Sequence, residues 1–199
     1  MALFYLDENY PRRFRNCADA PILFYLKGAA NLDCAKAVSI VGTRNATDYG
    51  RQMCEELIRE LAAKGHRLLV VSGLAYGIDI HAHKAALKNN LPTVAVLGHG
   101  LDKLYPAAHG RTAKAMLEKG GLITDFPSNT KIDPPNFIRR NRLIAGLSDA
   151  TIVVESGVAA TTRSRSSAGA YEVEPTRNGV APRRFRRRAR RPPGESRCR

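Results

Sequence analysis

The sequence predicts an α/β fold, a Rossmann-like parallel sheet with helices on both faces and an incomplete C-terminal part. Three observations carry this. Short, almost wholly apolar runs alternate with longer stretches of helical periodicity, the pattern of repeated βαβ units. The runs at residues 38–41, 68–71 and 93–97 lack polar alternation, as strands buried on both faces do. Several of them end in glycine-bearing loops that lead towards the next helix.

Residues 1–37 read as a lead-in that packs on the core. Tyr10-Pro11 is an extended or turn pair, because proline restricts the residue before it, and residues 22–26 form a β-prone run closed by Lys27-Gly28. Residues 38–156 form the main domain. A strand at 38–41 gives way to the loop Gly42-Thr43-Arg44. A helix at 48–64 follows, with Met53, Leu57, Ile58 and Leu61 on one face and Gly65 at its end. The strand 68–71 passes through Ser72-Gly73-Leu74-Ala75-Tyr76-Gly77-Ile78-Asp79 into a helix at 81–88. Next come a strand at 93–97, a helix at 111–119, a strand at 122–124, a proline-rich loop at 126–136, a helix at 137–147 and a strand at 150–154. Residues 157–199 read as a basic, disordered tail.

Composition narrows the function. No run of about 20 apolar residues is present, so no membrane span is expected, and no secretory leader is expected from residues 1–11, which lack a basic start followed by an apolar stretch. Cys17, Cys34, Cys54 and Cys198 show no close pairing, which fits a reduced, cytoplasmic setting. The net charge of +14 is uneven. Residues 157–199 hold 12 Arg, no Lys and 3 Glu, a net +9, which leaves the body at only +5. A pI of that origin says little about the body, so the argument for nucleic acid rests on where the body's arginines stand.

Ligands of doubly wound sheets bind beyond the carboxyl ends of the strands. The loops at 42–44, 72–79 and 98–102 and the pair Glu155-Ser156 should therefore share one rim. In the second loop Gly73 and Gly77 permit close backbone approach, Ser72 supplies a hydroxyl, and Asp79 is a candidate N-cap. Loop amides and helix dipole would then converge on an anion, most simply a phosphate; the competing reading is an ordinary βα turn. Arg139-Arg140-Asn141-Arg142 stands near a predicted helix start, where cations oppose the macrodipole unless an anion sits beside them. Phe137 offers a ring for base stacking or a side chain for the core. Arg44 adds a further cation. No G-x-G-x-x-G follows the first strand, so a nicotinamide cofactor is disfavoured. His81 and His83 point apart on a helix, so no metal is expected. Asp102 and Tyr105 read as loop-fixing residues, and no catalytic group stands out.

Taken in order, these motifs resemble the DNA-processing protein A (DprA/Smf) family over residues 10–155. The resemblance rests on Ile40-Val41-Gly42-Thr43-Arg44, Tyr49-Gly50, Val71-Ser72-Gly73-Leu74-Ala75-Tyr76-Gly77-Ile78-Asp79 with Ala82-His83, Val96-Leu97-Gly98-His99-Gly100-Leu101-Asp102, Tyr105-Pro106, Asn136-Phe137 and Arg140-Asn141-Arg142-Leu143-Ile144-Ala145-Gly146-Leu147-Ser148. It implies a non-enzymatic protein that binds single-stranded DNA, protects it during natural transformation and loads the RecA recombinase. No cofactor is implied. Carried onto this chain, Arg44, Ser72, Gly73, Ala75, Gly77, Ile78, Asp79, Phe137, Arg139, Arg140, Asn141 and Arg142 would line the DNA site. The resemblance also implies a homodimer, whose contacts would fall where the match ends. Past Ser156 the chain turns arginine-rich and lysine-free without hydrophobic periodicity, and reads as a frameshifted tail; a basic DNA-binding arm is the rival. The alternative function is a nucleotide-binding enzyme that hydrolyses nucleoside monophosphates, although the Pro-Gly-Gly loop of such enzymes is not found.

Overall fold

The computed structural model describes residues 1–65 and 67–156, together with the backbone of residues 170–172. Among the described residues, eight strands form one sheet in the order β1-β2-β6-β5-β4-β3-β7-β8. The six strands β3 (Lys36–Val41), β4 (Leu68–Ser72), β5 (Thr93–Val96), β6 (Gly121–Thr124), β7 (Ala150–Val153) and β8 (Ala170–Glu172) run parallel. The lead-in adds two antiparallel strands at one edge: β2 (Leu23–Gly28) pairs with β6, and β1 (Ala2–Phe4) with β2.

Side chains of β4 show how the sheet is covered. All five residues are buried; Leu69 and Val71 join one cluster, Leu68 and Val70 the opposite one, as the period of two requires. One face is covered by the lead-in, through Tyr10, Phe14 of α1 (Arg12–Arg15) and Phe24, and by α5 (Pro134–Gly146), through Leu143 and Ile144. The other face is covered by α2 (Asp48–Ala63), α3 (Ile78–Lys88) and α4 (Gly110–Met116). Tyr10 is fully buried and donates its hydroxyl to the Pro21 carbonyl, which ties the lead-in together.

Two local expectations are corrected. α3 begins at Ile78 with Gly77 as its N-cap, so Asp79 lies inside the first turn and does not cap the helix. α5 begins at Pro134, because proline suits the first helical position, where its missing N–H is no loss. Arg139, Arg140 and Arg142 consequently lie mid-helix, and opposition to the helix dipole does not apply to them. Past β7, the backbone of Ala170–Glu172 pairs with it in parallel. Apart from the strand backbone at 170–172, the expectations for residues 157–199 fall outside the described residues.

Candidate nucleic-acid interface

The loops after β3, β4 and β5 and the first turns of α5 meet along the carboxyl edge of the sheet. Gly77 brings two of these loops into close contact. Its φ is +78°, and a Cβ there would overlap the Thr43 carbonyl and lie 2.6 Å from that of Arg44. The neighbouring Ile78 amide donates to the Thr43 carbonyl at 3.2 Å. The two loops therefore pack backbone to backbone, and Arg44 is left exposed beside them. A cavity of about 410 Å³ opens there, lined by Arg44, Arg51, Tyr76 and His81 among others. Arg51 is exposed and bonds Asp48 and the Ala46 carbonyl.

Beneath the β4 loop lies a buried polar assembly. The Asp79 carboxylate accepts hydrogen bonds from the backbone amides of Gly73 and Ala75. Arg140 reaches the same place from α5, with its guanidinium 3.8 Å from Asp79 and both side chains almost wholly buried. Arg140 donates to the Gly73 carbonyl at 2.7 Å and to the Val96 carbonyl. Burial raises the pKa of Asp79, with Arg140 opposing, and burial lowers that of Arg140, with Asp79 opposing. Gly73 is required by this contact, since a Cβ would run into the guanidinium.

These facts sort the predicted site residues. Ser72, Ile78, Asp79 and Arg140 are buried. The expectation that Ser72 and Arg140 meet phosphate directly is corrected, because Ser72 donates to the Ile40 carbonyl at 2.6 Å and Arg140 is engaged from within. The amides of the β4 loop do converge on an anion, but that anion is the protein's own Asp79. Ala75 and Gly77 remain partly accessible, and Arg139 and Asn141 are exposed. Asn141 accepts from Arg140 at 3.1 Å, while Arg142 is engaged by Asp125 and the Asp19 carbonyl. Arg139 lies over the Phe126 ring at 5.7 Å.

Phe137 is half-buried against the β5 loop, where a Cβ on Gly98 would meet its ring at 3.0 Å. It also faces Arg140 at 6.0 Å and Tyr105 at 5.7 Å. Tyr105 keeps 46% of its surface, and Tyr76, packed edge-on against His109, keeps 49%. The loop bearing Tyr105 is fixed by its amide's bond to His99 and by Asp102, which accepts from the Asn129 amide. Sequence reading did not assign Tyr76, Tyr105 or Arg51 to the site. Both tyrosines sat inside recognised motifs, and only the fold shows their rings on the surface.

The family model described as DNA recombination-mediator protein A matches residues 1–169, beyond the 10–155 expected from motifs alone. A putative DNA processing protein DprA from Mycobacterium tuberculosis is 40% identical over 148 residues, covering 73% of this chain and 38% of the relative. The DNA processing protein DprA of Streptococcus pneumoniae is 39% identical over 153 residues, 76% of this chain and 52% of the relative. The chain thus spans about half or less of the length of the curated relatives it matches. The X-ray structure of the S. pneumoniae protein superposes with a TM-score of 0.74 at 35% identity, covering 80% of this chain and 55% of the other. A Helicobacter pylori DNA processing protein A, whose structure describes a single-stranded DNA binding mode, gives a TM-score of 0.74 at 27% identity, covering 90% and 83%. On its fold, its motifs and these likenesses, the chain belongs to the DNA recombination-mediator protein A family.

Proposed function

We propose that this chain binds single-stranded DNA along the carboxyl edge of its sheet and acts without catalysis. The observation that carries the reading is the pairing of exposed cations, Arg44 and Arg139, with the surface rings of Tyr76 and Tyr105 and the half-buried ring of Phe137 on one rim. Cations that track a backbone and rings that stack bases of any identity are the two ingredients of sequence-tolerant single-strand binding. Duplex DNA keeps its bases stacked inside and cannot use the rings. Ala75 and Gly77 would add main-chain surface, and Asn141 a polar contact. Protection of DNA in transformation, loading of the RecA recombinase, cytoplasmic residence and a homodimer are proposed on the family likeness alone.

The test compares single-stranded and duplex oligonucleotides in a salt series, using the full chain and a variant with the arginines of residues 157–199 replaced by glutamine. Single-strand preference retained in the neutralised variant supports the rim. Binding that disappears with the arginine charge would remove it. Release of phosphate from nucleoside monophosphates above a blank would favour the hydrolase reading instead.

A further inference from the structure

We propose that Glu155 is a positioning residue for Arg44: it pins both ends of the 43–47 loop across the crevice between β3 and β7, and so sets where Arg44 meets a phosphate. The inference rests on the single-strand reading above. In a doubly wound sheet the ligand crevice lies where the strand order reverses. Here β3, β4, β5 and β6 succeed one another in one direction, and β7 returns on the far side of β3. The reversal falls between β3 and β7, and the protein's own atoms bridge it.

The Thr43 amide donates to the Glu155 carbonyl at 2.6 Å. Four residues on, the Thr47 amide donates to Glu155 Oε2 at 3.0 Å and the Thr47 hydroxyl donates to the same oxygen at 3.3 Å. That hydroxyl also caps α2 by accepting from the Gly50 amide at 3.0 Å. Two glycines make room for the bridge. A Cβ on Gly50 would overlap the Glu155 carboxylate, and one on Gly42 would come within 2.8 Å of the Glu155 carbonyl. A single residue thus holds the amides that flank Arg44, while Gly77 closes the loop from the other side. A carboxylate on a phosphate-binding rim would ordinarily repel the ligand. Here it is turned onto Thr47 and works as a hydrogen-bond acceptor, a part that an uncharged amide oxygen can also play.

The test is a double-mutant cycle on the full chain, read by single-strand affinity and by hydrogen exchange of the 43–47 amides. Glu155→Ala should weaken binding about tenfold when Arg44 is present and less than about twofold in an Arg44→Ala background, the non-additivity expected of residues that act through one another. Glu155→Gln should bind within about twofold of the parent, because its Oε1 still accepts from Thr47. Exchange at Thr47 should accelerate in Glu155→Ala and stay slow in Glu155→Gln. Equal losses in both backgrounds would show general destabilisation and overturn the proposal. Tighter binding by Glu155→Gln would overturn it too, since the charge and not the hydrogen bond would then matter. If the parent chain binds no single strands, the parent reading fails, and unchanged exchange in Glu155→Ala would independently refute the bridge.

Discussion

The Arg140 guanidinium lies 3.8 Å from the Asp79 carboxylate, with both groups buried beneath the loop that follows β4. Asp79 holds the loop's backbone through Gly73 and Ala75, and Arg140 holds the Gly73 and Val96 carbonyls. One ion pair therefore joins α3, α5 and the ends of β4 and β5. Removing one partner of such a pair strands the other charge in a low dielectric. Arg140→Ala should therefore cost about 3–5 kcal/mol of stability, whereas Arg44→Ala, at an exposed position, should cost less than about 0.5 kcal/mol. Urea denaturation followed by far-UV circular dichroism checks both. An Arg140→Ala chain as stable as the parent would show that the pair does not hold the loop.

On the proposed reading, Arg44 and Arg139 meet the phosphates. Replacing either by alanine should weaken single-strand binding across all sequences and flatten the plot of log affinity against log salt by about 0.7. An unchanged slope in one variant would remove that arginine from the interface.

The aromatic side of the rim is tested by Tyr105→Leu and Phe137→Leu. Each should lose about 1–3 kcal/mol of binding, the range for one stacked base, with little change in salt slope. The chain has no tryptophan, so intrinsic tyrosine emission can be followed directly. The loss of tyrosine emission on binding should shrink in Tyr105→Phe at nearly unchanged affinity, with Tyr76 accounting for the remainder. A loss as large as the parent's would remove Tyr105 from the interface.

Acid should destabilise the fold through His83. Its Nδ1–H donates to the Thr93 hydroxyl at 2.7 Å, that hydroxyl donating in turn to the Val70 carbonyl at 2.9 Å. Burial, with Arg140 and His109 adding to it, pushes the His83 pKa down to about 3. Between an unfolded value near 6.5 and that folded value, the unfolded chain binds the extra proton, so stability rises with pH across this window. Asp149 acts in the same direction at lower pH. Its hydrogen bond from Arg13 lowers its pKa, so its contribution is present above about pH 4 and fades as the pH falls through the folded value. Its half-exposed side chain keeps that contribution small. His83→Gln should flatten the stability profile between about pH 3 and 6.5. An acid limb as steep as the parent's would place the proton uptake elsewhere.

Gly77→Ala should destabilise by at least about 2 kcal/mol, because a Cβ would overlap the Thr43 carbonyl in a backbone already at φ +78°. Thermal melting measures it. A variant that melts with the parent would mean that the two loops are not packed together as described.

The alternation of apolar runs and helical periodicity was enough to establish the parallel sheet, because burial on both faces removes polar alternation from strands such as β4. The glycine loops and Arg44 were legible for a related reason: only certain residue types fit a tight strand-to-helix turn or present a cation beside it. The roles within the site were not legible. Arg44 and Arg140 are the same residue type in two of the recognised motifs, yet one is exposed and the other is buried on Asp79. Burial depends on which segment packs above a side chain, and that segment is remote in the sequence. Asp79 reads as a cap from local pattern, but α5 brings Arg140 to it across the sheet. Glu155 reads as the end of a strand until β7 is laid beside β3 and its carboxylate meets Thr47. The sequence alone determined the fold class, the family and the rim on which the loops gather. Only the tertiary structure decided which charges face outward and which hold the loops from within, because partners distant in the chain settle where each charge can be solvated.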